Sequence, residues 1–190
     1  MKKWQYILGL LVLIVVVFGG YYFYKTRMNT NKQQMTRVDY ELIDRSNYGL
    51  YGTLADDAKS QDKYKNLSAW IFTDTPDWKR FWETDIRQVG TGGFGDYPRV
   101  DFDKKRVLAL LQGVKPTGGY YIEIKEMSFQ GKKLIAKVNI FEPKDGEMQT
   151  QAVSSAYDII KFDKEILTGK NVLEVWDVNT NKLVLTQKLQ

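Results

Sequence analysis

Residues Val114–Lys125, VKPTGGYYIEIK, carry the most specific local pattern in the chain. Before them, Val107–Leu111 is a short apolar run followed closely by a glycine. From Tyr120 onward, apolar and polar residues alternate with the period of a half-buried strand. Between these two segments, Pro116 fixes its own φ and the following glycine pair can adopt positive φ. The stretch therefore predicts two strands that are joined by a rigid loop.

The predicted loop has two interpretations, which the sequence leaves open. It is either an ordinary connection between strands or a surface whose bare backbone approaches a partner closely. For the second interpretation, the expected contact residues are Lys115, Pro116, Thr117, Gly118, Gly119 and Tyr120. Phe94 and Tyr97, in and after the glycine-rich run 90–95, are weaker candidates for the same role.

The composition excludes several classes of chemistry. The 190 residues include no cysteine and no histidine. Triads with a histidine base, cysteine nucleophiles, disulfides and zinc sites with thiolate or imidazole ligands are therefore excluded. The net charge is +5, with both signs interspersed along the chain, so no nucleic-acid partner is expected. We expect no cofactor and no metal ion.

The N-terminal segment predicts a membrane anchor. Residues 4–24 are uncharged, with aromatic residues at both ends, and 21 residues at about 1.5 Å each match the thickness of a bilayer core. The predicted organisation is an anchor at residues 1–25, a linker at 26–37 and a β-rich domain at 38–190. Lys2 and Lys3 precede the apolar segment, as in a signal anchor, which predicts an extracytoplasmic domain and a single-pass cell-membrane location. Basic residues after the segment favour the opposite orientation.

Periodicity along the domain predicts a series of short strands and one helix. Beside the two strands that frame the loop, the predicted strands are Val38–Ile43, Ser68–Thr73, Lys133–Phe141, Tyr157–Phe162, Val172–Val178 and Leu183–Leu189. Thr75 is the expected helix N-cap and Pro76 the first helical residue. The apolar helix stripe, Trp78, Phe81, Trp82 and Ile86, is expected in the core. Short connections favour antiparallel pairing, so the predicted fold is a small antiparallel β barrel or sandwich with one amphipathic helix.

No catalytic constellation follows from the residues. Asp101 and Asp103 could share one face of a strand, but three basic residues follow them at once, which favours a solvated turn. Ser154 and Ser155 near Lys161 lack any sign of a buried base or an oxyanion hole. The chain is therefore not expected to be an enzyme.

The chain resembles the C-terminal domain of the protease complex subunit PrcB family over residues 78–167. The segments that carry this resemblance are WKRFW, VDF, RVLALLQG, PTGGYYIEI, KLIAKVNIFEP and QAVSSAYDIIKF, in that order. PTGGY, Pro116–Tyr120, is the most specific of them. The resemblance implies an extracytoplasmic, noncatalytic accessory domain that acts through protein contacts. Founding members are lipoproteins that assist a surface protease complex, whereas this chain has no cysteine to carry a lipid.

The resulting hypothesis is a membrane-anchored, extracytoplasmic protein-binding module that assists or stabilises a cell-surface protease or envelope complex. Two alternatives stay open. The PTGGY loop also resembles the NPTTGY loop of chagasin-type cysteine-protease inhibitors, which are small β domains. A third possibility is a cell-envelope enzyme or ligand sensor with carboxylates in a β cavity, which would place Asp101 or Asp103 in a deep polar pocket.

Overall fold

The computed structural model describes residues 18–19, 21, 35–47, 65–86, 97–144, 146–151 and 153–189. The chain divides into two units, Met1–Gln34 and Met35–Gln190. Within the described ranges, no helix has the length and apolar character needed to cross a bilayer. The predicted anchor at 4–24 lies outside them except for Phe18, Gly19 and Tyr21, which are helical.

Nine strands and one α-helix make up the described part of the second unit. They are β1 (Thr36–Val38), β2 (Tyr40–Ser46), β3 (Ser68–Phe72), α1 (Thr75–Phe81), β4 (Lys105–Leu111), β5 (Tyr121–Gln130), β6 (Lys133–Phe141), β7 (Tyr157–Asp163), β8 (Val172–Asp177) and β9 (Lys182–Lys188). A π-helical turn, Trp82–Ile86, continues α1, and a 3₁₀ turn, Lys164–Leu167, follows β7. The prediction of a mainly β chain with one helix is confirmed.

The strands form two sheets, with β1-β5-β6-β8-β9 in a five-stranded sheet and β2-β7-β4-β3 in a four-stranded sheet. Within the described ranges the sheets do not close into a barrel, since β3 and β9 are each the last strand of their sheet. The strands pair antiparallel, as the short connections predict, except that β6 and β8 pair in parallel. The chain leaves the five-stranded sheet after β6, adds β7 to the other sheet and returns, so β8 runs in the same direction as β6.

The central strand β4 of the four-stranded sheet is buried on both faces. On one face, Leu108 and Leu110 of β4 pack with residues of the five-stranded sheet such as Leu134. On the other face, Val107, Ala109 and Leu111 pack beneath α1. A strand that is covered on both sides needs no polar alternation, which explains why Val107–Leu111 is apolar throughout.

The helix α1 buries its aromatic stripe as predicted. Trp78 is fully buried, and its indole Nε1 donates a hydrogen bond to the carbonyl oxygen of Pro98 at 2.8 Å. The predicted cap is one residue late, because Asp74 is the N-cap and its carboxylate accepts from the backbone N–H of Asp77 at 2.9 Å. Thr75 is instead the first helical residue.

The first predicted strand, Val38–Ile43, is divided between the two sheets. β1 pairs with β5, whereas β2 pairs with β7 of the other sheet, and Asp39 lies between them. Val38 is buried in the core between the sheets. Apolar and polar residues alternate in the same way before and after such a crossover. The sequence pattern therefore cannot show where a strand changes sheet.

Candidate functional site

The PTGGY loop, residues 115–120, is held in place by the chain segment that leads into β7. Lys115 and Ser154 exchange two backbone hydrogen bonds, of 2.7 and 3.0 Å. The hydroxyl of Ser154 also donates to the carbonyl oxygen of Thr117 at 2.7 Å. Ser154 is fully buried, so these bonds are shielded from water. The loop therefore has a fixed conformation rather than a free one.

The two glycines of the loop have different roles. Gly118 is buried, and its N–H donates to the carbonyl oxygen of Thr150 at 2.9 Å. Gly119 is exposed and has a φ of 87°, in the left-handed region that favours glycine. A Cβ at Gly119 would lie 2.0 Å from Oε1 of Gln149. Gln149 therefore packs closely against the loop, and a side chain at residue 119 would require the end of the Gln149 side chain to move.

The outward side of the loop carries an aromatic ring and a paired cation. Lys115 Nζ lies 3.1 Å from Oε1 of Glu142 and 5.1 Å from the centre of the Tyr120 ring. Pro116 is exposed, and Thr117 and Tyr120 are half-buried. The loop thus presents Pro116 and the Tyr120 ring beside a lysine whose charge is balanced by Glu142. Such a surface is suited to protein contact.

The weaker contact candidates do not join this loop in the described structure. Tyr97 is half-buried and packs against the core beneath α1, where Lys79 Nζ lies 5.7 Å from the centre of its ring. Phe94 lies outside the described residues. The segment from Lys115 to Tyr120 is therefore the part of the predicted surface that the structure brings together.

A buried carboxylate on β7 contacts the strand that follows the loop, and sequence analysis did not predict it. Asp158 of β7 has no exposed side-chain surface. Its Oδ2 accepts from Arg45 Nη2 at 2.9 Å and from the backbone N–H of Ile124 at 2.6 Å. Tyr40 donates its hydroxyl hydrogen to the Ile124 carbonyl oxygen at 2.8 Å. Two side chains of the four-stranded sheet therefore bind the backbone of β5 in the other sheet.

Further polar and charged side chains, on the strand that follows the loop, join the contact between Asp158 and β5. Arg45 Nη1 lies 3.1 Å from Oε1 of Glu123, which also accepts a hydrogen bond from the Tyr121 hydroxyl and pairs with Lys125. Burial, together with the hydrogen bond to Glu123, raises the pKa of Tyr121 to about 12. Burial raises the pKa of Asp158 above its ordinary value, against the opposing effect of Arg45.

The sequence carried one weak sign of this buried cluster. Asp158 interrupts the otherwise apolar run around Ile159 and Ile160, and an acidic residue on a buried strand calls for a partner. The partner Arg45 is 113 positions away. Pairing at that separation requires the topology to be known, so sequence patterns alone could not identify it.

The carboxylates considered for a β cavity are instead part of a surface turn. Asp101 is exposed, pairs with Lys104 at 3.0 Å and accepts from the backbone N–H of Asp103 at 3.1 Å. The ion pair with Lys104 holds the pKa of Asp101 below its ordinary value. Across the described ranges, no three acidic residues lie close enough together to hold a metal ion.

Comparison with known proteins gives one match. Residues 106–163 match the family described as PrcB C-terminal. No curated protein and no solved structure matches the chain. The matched segment runs from β4 to the end of β7 and supplies two central strands to each sheet, together with the PTGGY loop. The helix α1 and residues 100–102 precede it. In its central strands and in the loop that joins β4 to β5, the chain resembles the PrcB C-terminal family.

Proposed function

We propose that this chain is a membrane-anchored, extracytoplasmic accessory module that binds another protein through the PTGGY loop. The match to the PrcB C-terminal family is the observation that carries the proposal, since resemblance to that family implies an accessory domain of a protease complex. The partner is accordingly a component of a cell-surface protease or envelope complex. The module itself supplies contacts rather than catalysis.

The geometry of the loop supports a binding role. Its backbone is fixed by Ser154 and Thr150, so little conformational entropy is lost when a partner binds. Tyr120 offers an amphipathic ring, a type of side chain that is common at interaction hot spots. Met148 directly precedes Gln149, the residue packed against Gly119, and is fully exposed. We include Met148 in the proposed interface.

A photoreactive residue at position 120, introduced in the full-length chain in native membranes, tests this interface. We expect one dominant protein adduct that an excess of unlabelled protein competes away. The same residue at position 183, which is 43% exposed on β9, is the matched control and should give no such adduct. Equal labelling from both positions, or labelling of lipid alone at position 120, would refute the loop as an interface.

The absence of native cysteine allows a direct test of membrane orientation. The substitution Leu183→Cys places one thiol on β9, at a side chain that is 43% exposed and lies outside the proposed interface. A maleimide that cannot cross membranes should label this thiol in intact cells. Labelling only after the cells are lysed would contradict an extracytoplasmic domain, whatever the result of the crosslinking.

A further inference from the structure

The five-stranded sheet has a groove on the face that points away from the four-stranded sheet. Leu134 and Ala136 of β6 point into the core, so Ile135 between them points outward. Ile135 is nevertheless only 5% exposed, and it lines a groove of about 520 Å³ together with Trp176 of β8. Met35 and Val178, which are 46% and 44% exposed, also line it. The volume is in the range of small-molecule sites.

The charged side chains around this groove are already engaged with one another. Lys133 Nζ lies 2.6 Å from Oε1 of Glu174, and Lys137 Nζ lies 3.2 Å from Oε2 of Glu126. Asp177 accepts from the hydroxyl of Thr180 at 2.6 Å. A charged ligand would have to give up its hydration without gaining a free counter-charge. The groove therefore favours an uncharged occupant.

Polar groups that could orient such a ligand are also present. The amide side chains of Gln130 and Asn181 line the groove. These amide groups can both donate and accept hydrogen bonds, so they can hold one polar group of a ligand at the edge of the groove.

We propose that this groove binds an uncharged small molecule that carries an aromatic or aliphatic ring and one hydrogen-bonding group. The ring packs between Ile135 and the indole of Trp176. The polar group bonds to the amide groups of Gln130 and Asn181 at the edge of the groove. The site is separate from the PTGGY loop and does not depend on the function proposed for that loop.

Benzamide is a suitable probe because it has one ring and one uncharged polar group. Nitrogen–proton NMR spectra of the full chain, recorded during titration, should show saturable shifts of the Trp176 indole N–H and the Ile135 amide. The dissociation constant should lie in the millimolar range, as expected for so small a ligand. Benzoate and benzylammonium, its charged counterparts, should bind at least about tenfold more weakly. Equal binding of the three compounds, or no localised shift, would overturn the proposal.

Two variants test whether the groove residues are responsible. Trp176→Ala removes the aromatic wall and should weaken benzamide binding about tenfold or more, read from the Ile135 amide. Val178→Glu places a carboxylate at a wall position that is 44% exposed, and should weaken binding similarly. Leu42→Ala is the control, since Leu42 is 54% exposed on β2 of the other sheet. If both groove variants bind benzamide as the wild type does, the site is refuted.

Discussion

The substitution Arg45→Met tests the contact that joins the two sheets beside the PTGGY loop. It removes the cation from Asp158, whose side chain is completely buried, and keeps an apolar chain of similar length. The backbone N–H of Ile124 still donates to the carboxylate. The variant thus leaves a buried charge with one of its two partners.

The expected cost follows from that geometry. Removing one partner of a buried ion pair destabilises a protein by about 3–5 kcal/mol. We expect about 3 kcal/mol, the lower end of this range, because the Ile124 hydrogen bond remains. For a chain of this size the loss corresponds to a fall in Tm of roughly 6–12 °C. Asp158→Asn should cost less, about 1–2 kcal/mol, because it removes the buried charge and its amide oxygen can still accept from Ile124.

The assay is urea unfolding of the full-length chain, followed by tryptophan fluorescence. Arg80→Met is the matched control, because Arg80 pairs with Asp77 at 2.8 Å but both side chains are more than half exposed. Exposed pairs are worth about 0–1 kcal/mol, so the control should change little. If Arg45→Met costs no more than Arg80→Met, burial of Asp158 does not govern the contact and the reasoning is wrong.

The pH dependence of the Arg45 variant gives an independent check. Burial already raises the pKa of Asp158, and loss of Arg45 removes an influence that lowers it. A carboxyl with a raised pKa in the folded state favours folding at low pH, and this benefit is lost as pH rises through the folded-state pKa. The cost of Arg45→Met should therefore be larger at pH 8 than at pH 4. The opposite trend would contradict the assignment.

Three further changes test other parts of the structure. Gly119→Ala should cost about 0.5–1.5 kcal/mol more than Gly146→Ala, because both glycines have positive φ but only at residue 119 would the new methyl push the Gln149 side chain from its rotamer. Gln149→Ala should remove this difference in urea unfolding. Trp78→Ala should cost about 3–5 kcal/mol in the same assay, and a cost below 1 kcal/mol would mean that α1 is not part of the core. Burial alone would raise the pKa of Asp177, but hydrogen bonds in the following turn outweigh this effect and lower the pKa. Its contribution to stability is therefore present above its unfolded pKa and lost as pH falls through the folded-state value, so Asp177→Asn should flatten the acid side of the stability profile.

The sequence predicted the parts of the fold that depend on local pattern. The alternation in Lys133–Phe141, the apolar run at Val107–Leu111 and the aromatic stripe of α1 each produced the predicted element, because burial on one or both faces dictates these patterns. The rigid loop was predicted from the proline and glycines of PTGGY. The hydrogen bonds between the loop and Ser154 were not predicted, since the loop sequence does not indicate which segment packs against it.

The features that sequence analysis missed depend on pairing over long separations. The parallel pairing of β6 with β8 and the ion pair of Arg45 with Asp158 both require knowing which strand lies in which sheet. The position of the helix cap was wrong by one residue, because Asp74 and Thr75 are both good caps and only backbone geometry decides between them.

The strand that changes sheet at Asp39 has a consequence under mechanical load. If the chain before Met35 is tethered and a partner pulls on the loop, force enters the domain through β1, which is attached to β5 by only three residue pairs. Beyond Asp39 the same chain is attached to β7 by six pairs and by the Arg45 contact. We therefore expect β1 to peel away first, leaving the edge of β5 at Met127–Phe129 free while β2 keeps its place. The domain would then yield at one short strand under tension and keep its binding loop intact.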